Sequence, residues 1–231
     1  MCGRYAITLP PEAMRRVFEY VEQPNFPPRY NVAPTQPVPI VRRAVGVRHF
    51  SLVRWGFLPG FVKDPRTFPL ILNARAEGIV DKPSFRAAMR RRRCLFIADG
   101  WYEWRRLPRP GAKMVKQPFL LRLRDRQPMG FAGLYETWSD PQGGEIDTGG
   151  IVTTSANAAT IAIHDRMPAI IAPRDFDRWL DCTDERTDAA AALLRPAPDD
   201  DIEFFEISPA VNSVRNDGPQ LQESVGQANL I

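Results

Sequence analysis

Histidine and cysteine are scarce in this sequence, with two and three residues among 231. Thiols so few and so unpaired in spacing, at Cys2, Cys94 and Cys182, exclude a disulfide framework and fit a reducing compartment. Together with His49 and His164 they form no zinc pattern, and no metal or organic cofactor is expected. No run of about eighteen apolar residues occurs, which leaves no candidate spanning helix, and the N-terminus lacks a signal-peptide apolar stretch. A cytoplasmic protein with no membrane partner is expected. Lysine is also rare, limited to Lys63, Lys82, Lys113 and Lys116. The remaining positive charge is arginine, whose forked guanidinium suits bidentate contacts to phosphate.

The charge that is present is unevenly placed. Residues 1–134 carry 25 Lys and Arg against 9 Asp and Glu, whereas residues 135–231 carry 6 against 18. Two readings stay open on charge alone: the basic part meets a polyanion, or the two parts neutralise each other in the fold. At 44% hydrophobic the chain can bury one substantial core. A single domain over 1–231 is expected, with a polar, mobile tail from about residue 217.

Secondary-structure signals alternate along the chain. Tyr5 to Leu9 suits a short strand, and Pro10 and Pro11 suit a helix start ahead of Met14, Val17, Phe18 and Val21 at helical spacing. The proline-rich stretch Gln23 to Pro39 excludes regular helix and reads as a rigid loop. Strands are predicted at Val38 to Val41, Val47 to Trp55, Leu70 to Ala74, Cys94 to Ala98, Trp101 to Arg105, Phe119 to Leu123, Phe131 to Trp138, Ile151 to Thr154 and Ile202 to Ile207. Asp99-Gly100 is a turn candidate, and Asp140 to Gly150 reads as a loop. Helices are predicted over Ser84 to Arg92, ending in a solvated arginine run Arg90 to Arg93, over Ala158 to Ile163 capped by Ser155 or Asn157, and over Arg174 to Asp181 and Glu185 to Leu194. This pattern predicts a single β-rich α+β domain, a curled or barrel-like and mostly antiparallel sheet flanked by short helices.

Chemistry concentrates at the start of the chain. By position alone Cys2 is an incidental residue of a frayed terminus. If Met1 is removed, however, Cys2 carries a free α-amine and a thiol on one residue, with ordinary pKa values of about 7.7 to 8.0 and about 8.5. Such a 1,2-aminothiol condenses with an aldehyde to a Schiff base, which the thiol closes to a thiazolidine. Alternatively the thiol alone attacks a carbonyl.

Six blocks occur in order: Met1-Cys2-Gly3-Arg4-Tyr5, Tyr30-Asn31-Val32-Ala33-Pro34, Trp55-Gly56, Asn73-Ala74-Arg75, Ala98-Asp99-Gly100-Trp101-Tyr102-Glu103-Trp104, and His164-Asp165-Arg166-Met167-Pro168. Ala210-Val211-Asn212 and Arg215-Asn216 follow. In this order they resemble the signature blocks of the SOS-response-associated peptidase (SRAP) family, which includes abasic-site processing proteins. The resemblance implies covalent capture of abasic sites in single-stranded DNA, with Cys2 as the reacting residue and DNA as the partner. It also implies a damage-response role, a nucleoid association when DNA is bound, and no cofactor. A monomer is expected. The stretch Phe61 to Phe68 departs from relatives that carry tryptophans there.

The remaining candidates have both a structural and a functional reading. Glu103, among aromatics, is either an exposed strand residue or a desolvated carboxyl suited to proton transfer. His164, with Asp165 to orient its ring, is either structural, a proton donor to the sugar oxygen, or a phosphate ligand. Asn73 is a turn cap, or its amide fixes the Cys2 amine or a nearby phosphate. Arg4 and Arg75 match family positions that hold DNA phosphates, Pro34 and Trp104 offer surfaces for base stacking, and Thr153 offers a phosphate donor. Two other functions use the same residues: a thiol or autoproteolytic peptidase with Cys2 as nucleophile, and a single-strand-binding module in which Cys2 is inert.

Overall fold

The computed structural model describes residues 2–108, 114–140, 142–184 and 186–226. The chain runs β1 (Tyr5–Ile7), α1 (Pro11–Phe18), β2 (Arg29–Val32), β3 (Pro37–Ala44), β4 (Val47–Trp55), β5 (Asn73–Arg75), α2 (Arg86–Arg91), β6 (Arg93–Ala98), β7 (Gly100–Leu107), β8 (Val115–Leu123), β9 (Met129–Ser139), β10 (Glu145–Ser155), β11 (Arg166–Pro168), β12 (Ile170–Ile171), α3 (Phe176–Leu180), α4 (Asp188–Ala191) and β13 (Ile202–Glu206).

Five strands close on themselves. The circuit passes from β10 through β4, β3, β6 and β9 and returns to β10, with only the β10–β4 contact parallel. Two glycines make closure possible. A Cβ at Gly133 of β9 would sit 2.4 Å from the Phe96 ring, and one at Gly149 of β10 would sit 2.9 Å from the same ring. Phe96, fully buried, fills the space those side chains would take. β5 takes over from β4 along β10: Gly149 pairs with Trp55, and Ile151 pairs with Asn73.

The second sheet has the order β13-β8-β7-β1-β2 and is antiparallel throughout. Aromatic rings join it to the barrel. Tyr5 of β1 stands edge-on to Trp55 of β4 at 5.0 Å between centroids, and Trp101 of β7 stands edge-on to Phe131 of β9 at 6.1 Å. All four are buried, each ring contributing roughly 2 kcal/mol of hydrophobic stabilisation. This shared core fixes β1, and therefore Cys2 just before it, against the barrel.

The β-rich, barrel-like and mostly antiparallel architecture is the one the sequence predicts, and several local expectations are corrected. Gln23 to Pro39 is not all loop. Pro27, Pro28 and Pro34 bracket β2 without entering it, and pairing with β1 at the sheet edge makes it a strand. The predicted loop Asp140 to Gly150 becomes strand from Glu145, because Gly149 and Gly150 serve close packing against Phe96 and Phe57 and not a turn. Helix α1 ends at Phe18 with Glu19 left-handed (φ 54°), which leaves Val21 52% exposed. Residues 158–163 form turns: Asn157 Oδ1 accepts from the Thr160 N–H at 3.0 Å as a cap would, but β-branched Thr160, Ile161 and Ile163 oppose helix. Arg93 is not solvated. It is 2% exposed and donates to the carbonyls of Trp179, Met89 and Asp181. The helix predicted from Glu185 covers only Asp188–Ala191, and Glu185 lies outside the described residues. The described part of the expected mobile tail is packed: Leu221 is fully buried and Ser224 bridges to Ile207.

Candidate cysteine-centred site

Three elements of the fold converge on Cys2. β1 and β7 pair with Tyr5 opposite Trp101, and the Tyr102 N–H donates to the Arg4 carbonyl at 3.0 Å. Continued toward the N-terminus, that register carries the first residues alongside Glu103. β5, held parallel to β10, starts with Asn73, whose Nδ2 donates to the Cys2 carbonyl at 2.9 Å. The connection between β10 and β11 delivers His164, with its Nε2 4.0 Å from Glu103 Oε2.

Electrostatics at this junction are set by burial. Cys2 is fully buried, which raises its thiol pKa well above the ordinary value, and the Glu103 carboxylate pushes it further the same way. Glu103 is 3% exposed, and burial raises its pKa to about 7. Burial lowers the pKa of His164, with Asp165 acting against the shift. Near neutral pH the pair is therefore a carboxyl close to half-protonation facing an imidazole that favours its neutral form. Asn73 Oδ1 is a buried acceptor with no hydrogen-bond partner among the described residues, on the amide whose nitrogen already holds the Cys2 carbonyl. Among the described residues no group of three or more His, Cys, Asp or Glu is arranged to hold a metal ion.

Four predicted residues, Cys2, Asn73, Glu103 and His164, thus meet at one place. The residues expected to contact DNA are more dispersed in character. Arg75 is exposed at the end of β5, two residues beyond Asn73. Arg4 is half-buried and already engaged, donating to Asn31 Oδ1 at 2.8 Å and to the Val211 carbonyl at 3.0 Å. Trp104 is half-buried and its Nε1 donates to Asn212 Oδ1 at 2.7 Å, while Pro34 is half-buried beside β2. Thr153 is fully buried, and its carbonyl accepts from Arg166 Nη2 at 2.5 Å. A cleft of about 720 Å³ near Met129, Ile171 and Pro196 includes none of these residues.

Two groups escaped the sequence reading although their blocks were in view. Asn31, 2% exposed, donates from Nδ2 toward the carbonyls of Val211, Ser213 and Asn216, so it pins the 211–216 segment behind Arg4. Arg166 forms a two-pronged ion pair with Glu77 at 2.7 and 2.9 Å. Both partnerships join positions far apart in sequence; Asn31 and Arg166 lie within the ordered blocks, whereas Glu77 lies in none of them.

A closed barrel places a buried near-terminal cysteine among an amide, a carboxyl and an imidazole, a candidate cysteine-centred site. The chain belongs to the family described as SOS response associated peptidase (SRAP), whose model matches residues 1–214. It is 35% identical to the abasic site processing protein YoqW of Bacillus subtilis (strain 168), covering 97% of this chain and 100% of that one. The abasic site processing protein YedK of Escherichia coli (strain K12) is 32% identical over 97% of this chain and 100% of its own length. The Gallus gallus protein HMCES, also an abasic site processing protein, is 31% identical over 95% of this chain and 76% of its own. A crystal structure of a Bacteroides thetaiotaomicron protein superposes with a TM-score of 0.81 at 26% identity, covering 96% of this chain and 99% of that one. Among the described residues no helix is long and apolar enough to cross a membrane.

Proposed function

We propose that this protein captures abasic sites in single-stranded DNA as a covalent thiazolidine on Cys2, after removal of Met1. The ring-opened sugar presents an aldehyde at C1′. The Cys2 amine adds to that carbon, the carbinolamine loses water to give the iminium, and the thiol adds to the same carbon. The thiol proton leaves in that step, so the balance is aldehyde plus aminothiol giving thiazolidine and one water. Glu103, poised near neutrality, takes and returns protons at the amine and thiol, and His164 supplies a proton to the sugar oxygen as the ring opens. Asn73 Oδ1 is the acceptor for the Cys2 amine. Arg4 and Arg75 hold flanking phosphates, with Thr153 beside them, and Pro34 and Trp104 give stacking surfaces. The protein acts as a single-domain monomer in the cytoplasm, on the nucleoid when bound, shielding the lesion during the damage response.

The observation that carries this reading is the convergence of Asn73, Glu103 and His164 on a buried Cys2. The same observation weighs against the thiol peptidase, which needs a thiolate as its first nucleophile. Burial holds this thiol protonated, whereas an amine-first route uses the thiol only after the iminium has formed. Intact mass spectrometry, with and without a single-stranded oligonucleotide carrying one abasic site, tests it. The expected result is a Met1-free protein and an adduct mapping to Cys2 that Cys2→Ser lacks. A Met1-free protein with no adduct would return the peptidase to first place, and full DNA retention by Cys2→Ser under denaturing conditions would favour the inert binding module.

A further inference from the structure

The ring of His164 is subject to two opposing demands. Its Nδ1 accepts from the peptide N–H of Arg166 at 3.0 Å, which needs a lone pair there, and makes a 2.9 Å ion-pair contact with Asp165 Oδ1, which a proton on Nδ1 would strengthen. One nitrogen of a neutral imidazole satisfies only one of them. With the Arg166 bond made, the ring proton sits on Nε2, the nitrogen that faces Glu103. With the Asp165 bond made, the proton moves to Nδ1 and Nε2 becomes an acceptor.

What decides the contest is how firmly the Arg166 peptide is held. Asp165 is 82% exposed and well solvated, so its pull is weak. The Arg166 side chain, by contrast, is 12% exposed and anchored at three points: Glu77 Oε1 at 2.7 Å, Glu77 Oε2 at 2.9 Å and the Thr153 carbonyl at 2.5 Å. The Ala76 N–H donates to the same Thr153 carbonyl at 2.8 Å, so the segment bearing Glu77 is tied into the joint from a second side. A planar guanidinium in a fork with a carboxylate resists rotation more than a single ion pair does. The joint spans the ends of β5 and β10 and the start of β11, where Ser155 pairs with Arg166.

We propose that Arg166 and Glu77 are positioning residues for His164: their clamp fixes the peptide whose N–H selects the imidazole tautomer carrying its proton toward Glu103. The inference rests on the reading of His164 as a proton donor for its catalytic consequence, but its structural content stands apart from the reaction. The charged side chains that act on the ring are Glu103 and Arg106 of β7 and Asp165 beside it. The clamp acts on the ring through the Arg166 peptide.

Two measurements test this. The sequence has only two histidines, so ¹⁵N spectra of the imidazoles at neutral pH, assigned with His49→Gln, report the His164 tautomer directly. Wild type is expected to show the Nε2–H form, and Glu77→Gln and Arg166→Lys to show the Nδ1–H form gaining population. Glu77 is 60% exposed, so Glu77→Gln leaves the fold intact even if Arg166→Lys loosens it. In single-turnover adduct formation on an abasic oligonucleotide, each substitution is expected to slow the rate by about tenfold with unchanged DNA affinity, and to have no further effect in a His164→Gln background. An unchanged tautomer, a slowing that persists without His164, or a loss confined to affinity would each overturn the proposal. A wild-type protein that forms no adduct would instead overturn the reading of function, and the tautomer would still decide the clamp.

Discussion

Glu103 Oε2 and His164 Nε2 stand 4.0 Å apart across the junction of the second sheet and the β10–β11 connection. Each is shifted by burial toward its neutral form, the carboxyl upward to about 7 and the imidazole downward. A pair tuned this way exchanges protons near neutral pH at little cost, because neither partner is held strongly in one state.

The first prediction concerns Glu103 and stability. Its folded pKa, about 7, lies above the ordinary 4.5, so between those values the folded state binds more protons than the unfolded one. Stability therefore falls as pH rises through that window and levels off above about 7. Glu103→Gln lacks this loss. Its advantage over wild type should be absent below about pH 4.5 and grow to the order of 3 kcal/mol by pH 8, read from urea midpoints at each pH. Adduct formation should fall by about a hundredfold or more in the same variant, since stabilising the site removes its proton carrier. Parallel losses of stability and activity at pH 8 would contradict the assignment.

A second prediction follows from Asn31. Its amide reaches the carbonyls of Ser213 and Asn216 at 3.0 and 2.9 Å, and its Oδ1 accepts from Arg4 at 2.8 Å. Asn31→Ala leaves buried acceptors and an arginine without that partner, at a cost of about 1 to 3 kcal/mol. Asp217 also accepts from the Tyr30 and Asn31 peptides, but those bonds survive the substitution. Amide hydrogen exchange should therefore speed up across 211–216 while the barrel strands keep their protection relative to global stability. Uniform acceleration would mean that the segment is not a separate anchored unit.

The barrel offers a third. Gly133→Ala places a methyl group 2.4 Å from the Phe96 ring and 3.1 Å from Cys94 Sγ, inside a closed circuit of strands with no free edge to yield. Overpacking of this kind costs about 1 to 3 kcal/mol. Phe96→Leu should relieve part of the clash, so the double variant is expected to be more stable than the sum of the single losses. Strict additivity would show that the strands absorb the methyl group by another route.

The local signals of this fold were largely legible and its long-range pairings were not. Val47–Trp55 has the same bounds as the predicted strand, because apolar and β-branched residues mark it without reference to any partner. β2 and the first half of β10 look like loops in the sequence, since prolines and glycines carry the same local signature whether they end a strand or make room beside one. The sequence points Arg93 to solvent, because a run of arginines reports nothing about the carbonyls of Trp179 and Asp181 that receive it. Among the site residues, Cys2, Asn73, Glu103 and His164 drew attention through their chemistry and through blocks in a recognisable order. Glu77 carried no signal of its own, because its partner lies 89 positions away.

The last prediction separates two arginines assigned the same task. Arg75 is exposed beside Asn73, whereas Arg4 holds Asn31 and the Val211 and Asn212 carbonyls. Removing Arg75 should therefore touch DNA binding alone: Arg75→Ala is expected to weaken affinity for single-stranded DNA and to lower the slope of log affinity against log salt by about 0.7, the share of one phosphate contact, with melting unchanged. Arg4→Ala removes internal hydrogen bonds as well and should lower stability by about 1 to 3 kcal/mol in the absence of DNA. Anisotropy titrations across salt, set beside thermal melts, distinguish the two. An Arg75→Ala protein with an unchanged salt slope would take that side chain off the phosphate path, and an Arg4→Ala protein with unchanged melting would show that its carbonyl contacts are incidental to the fold.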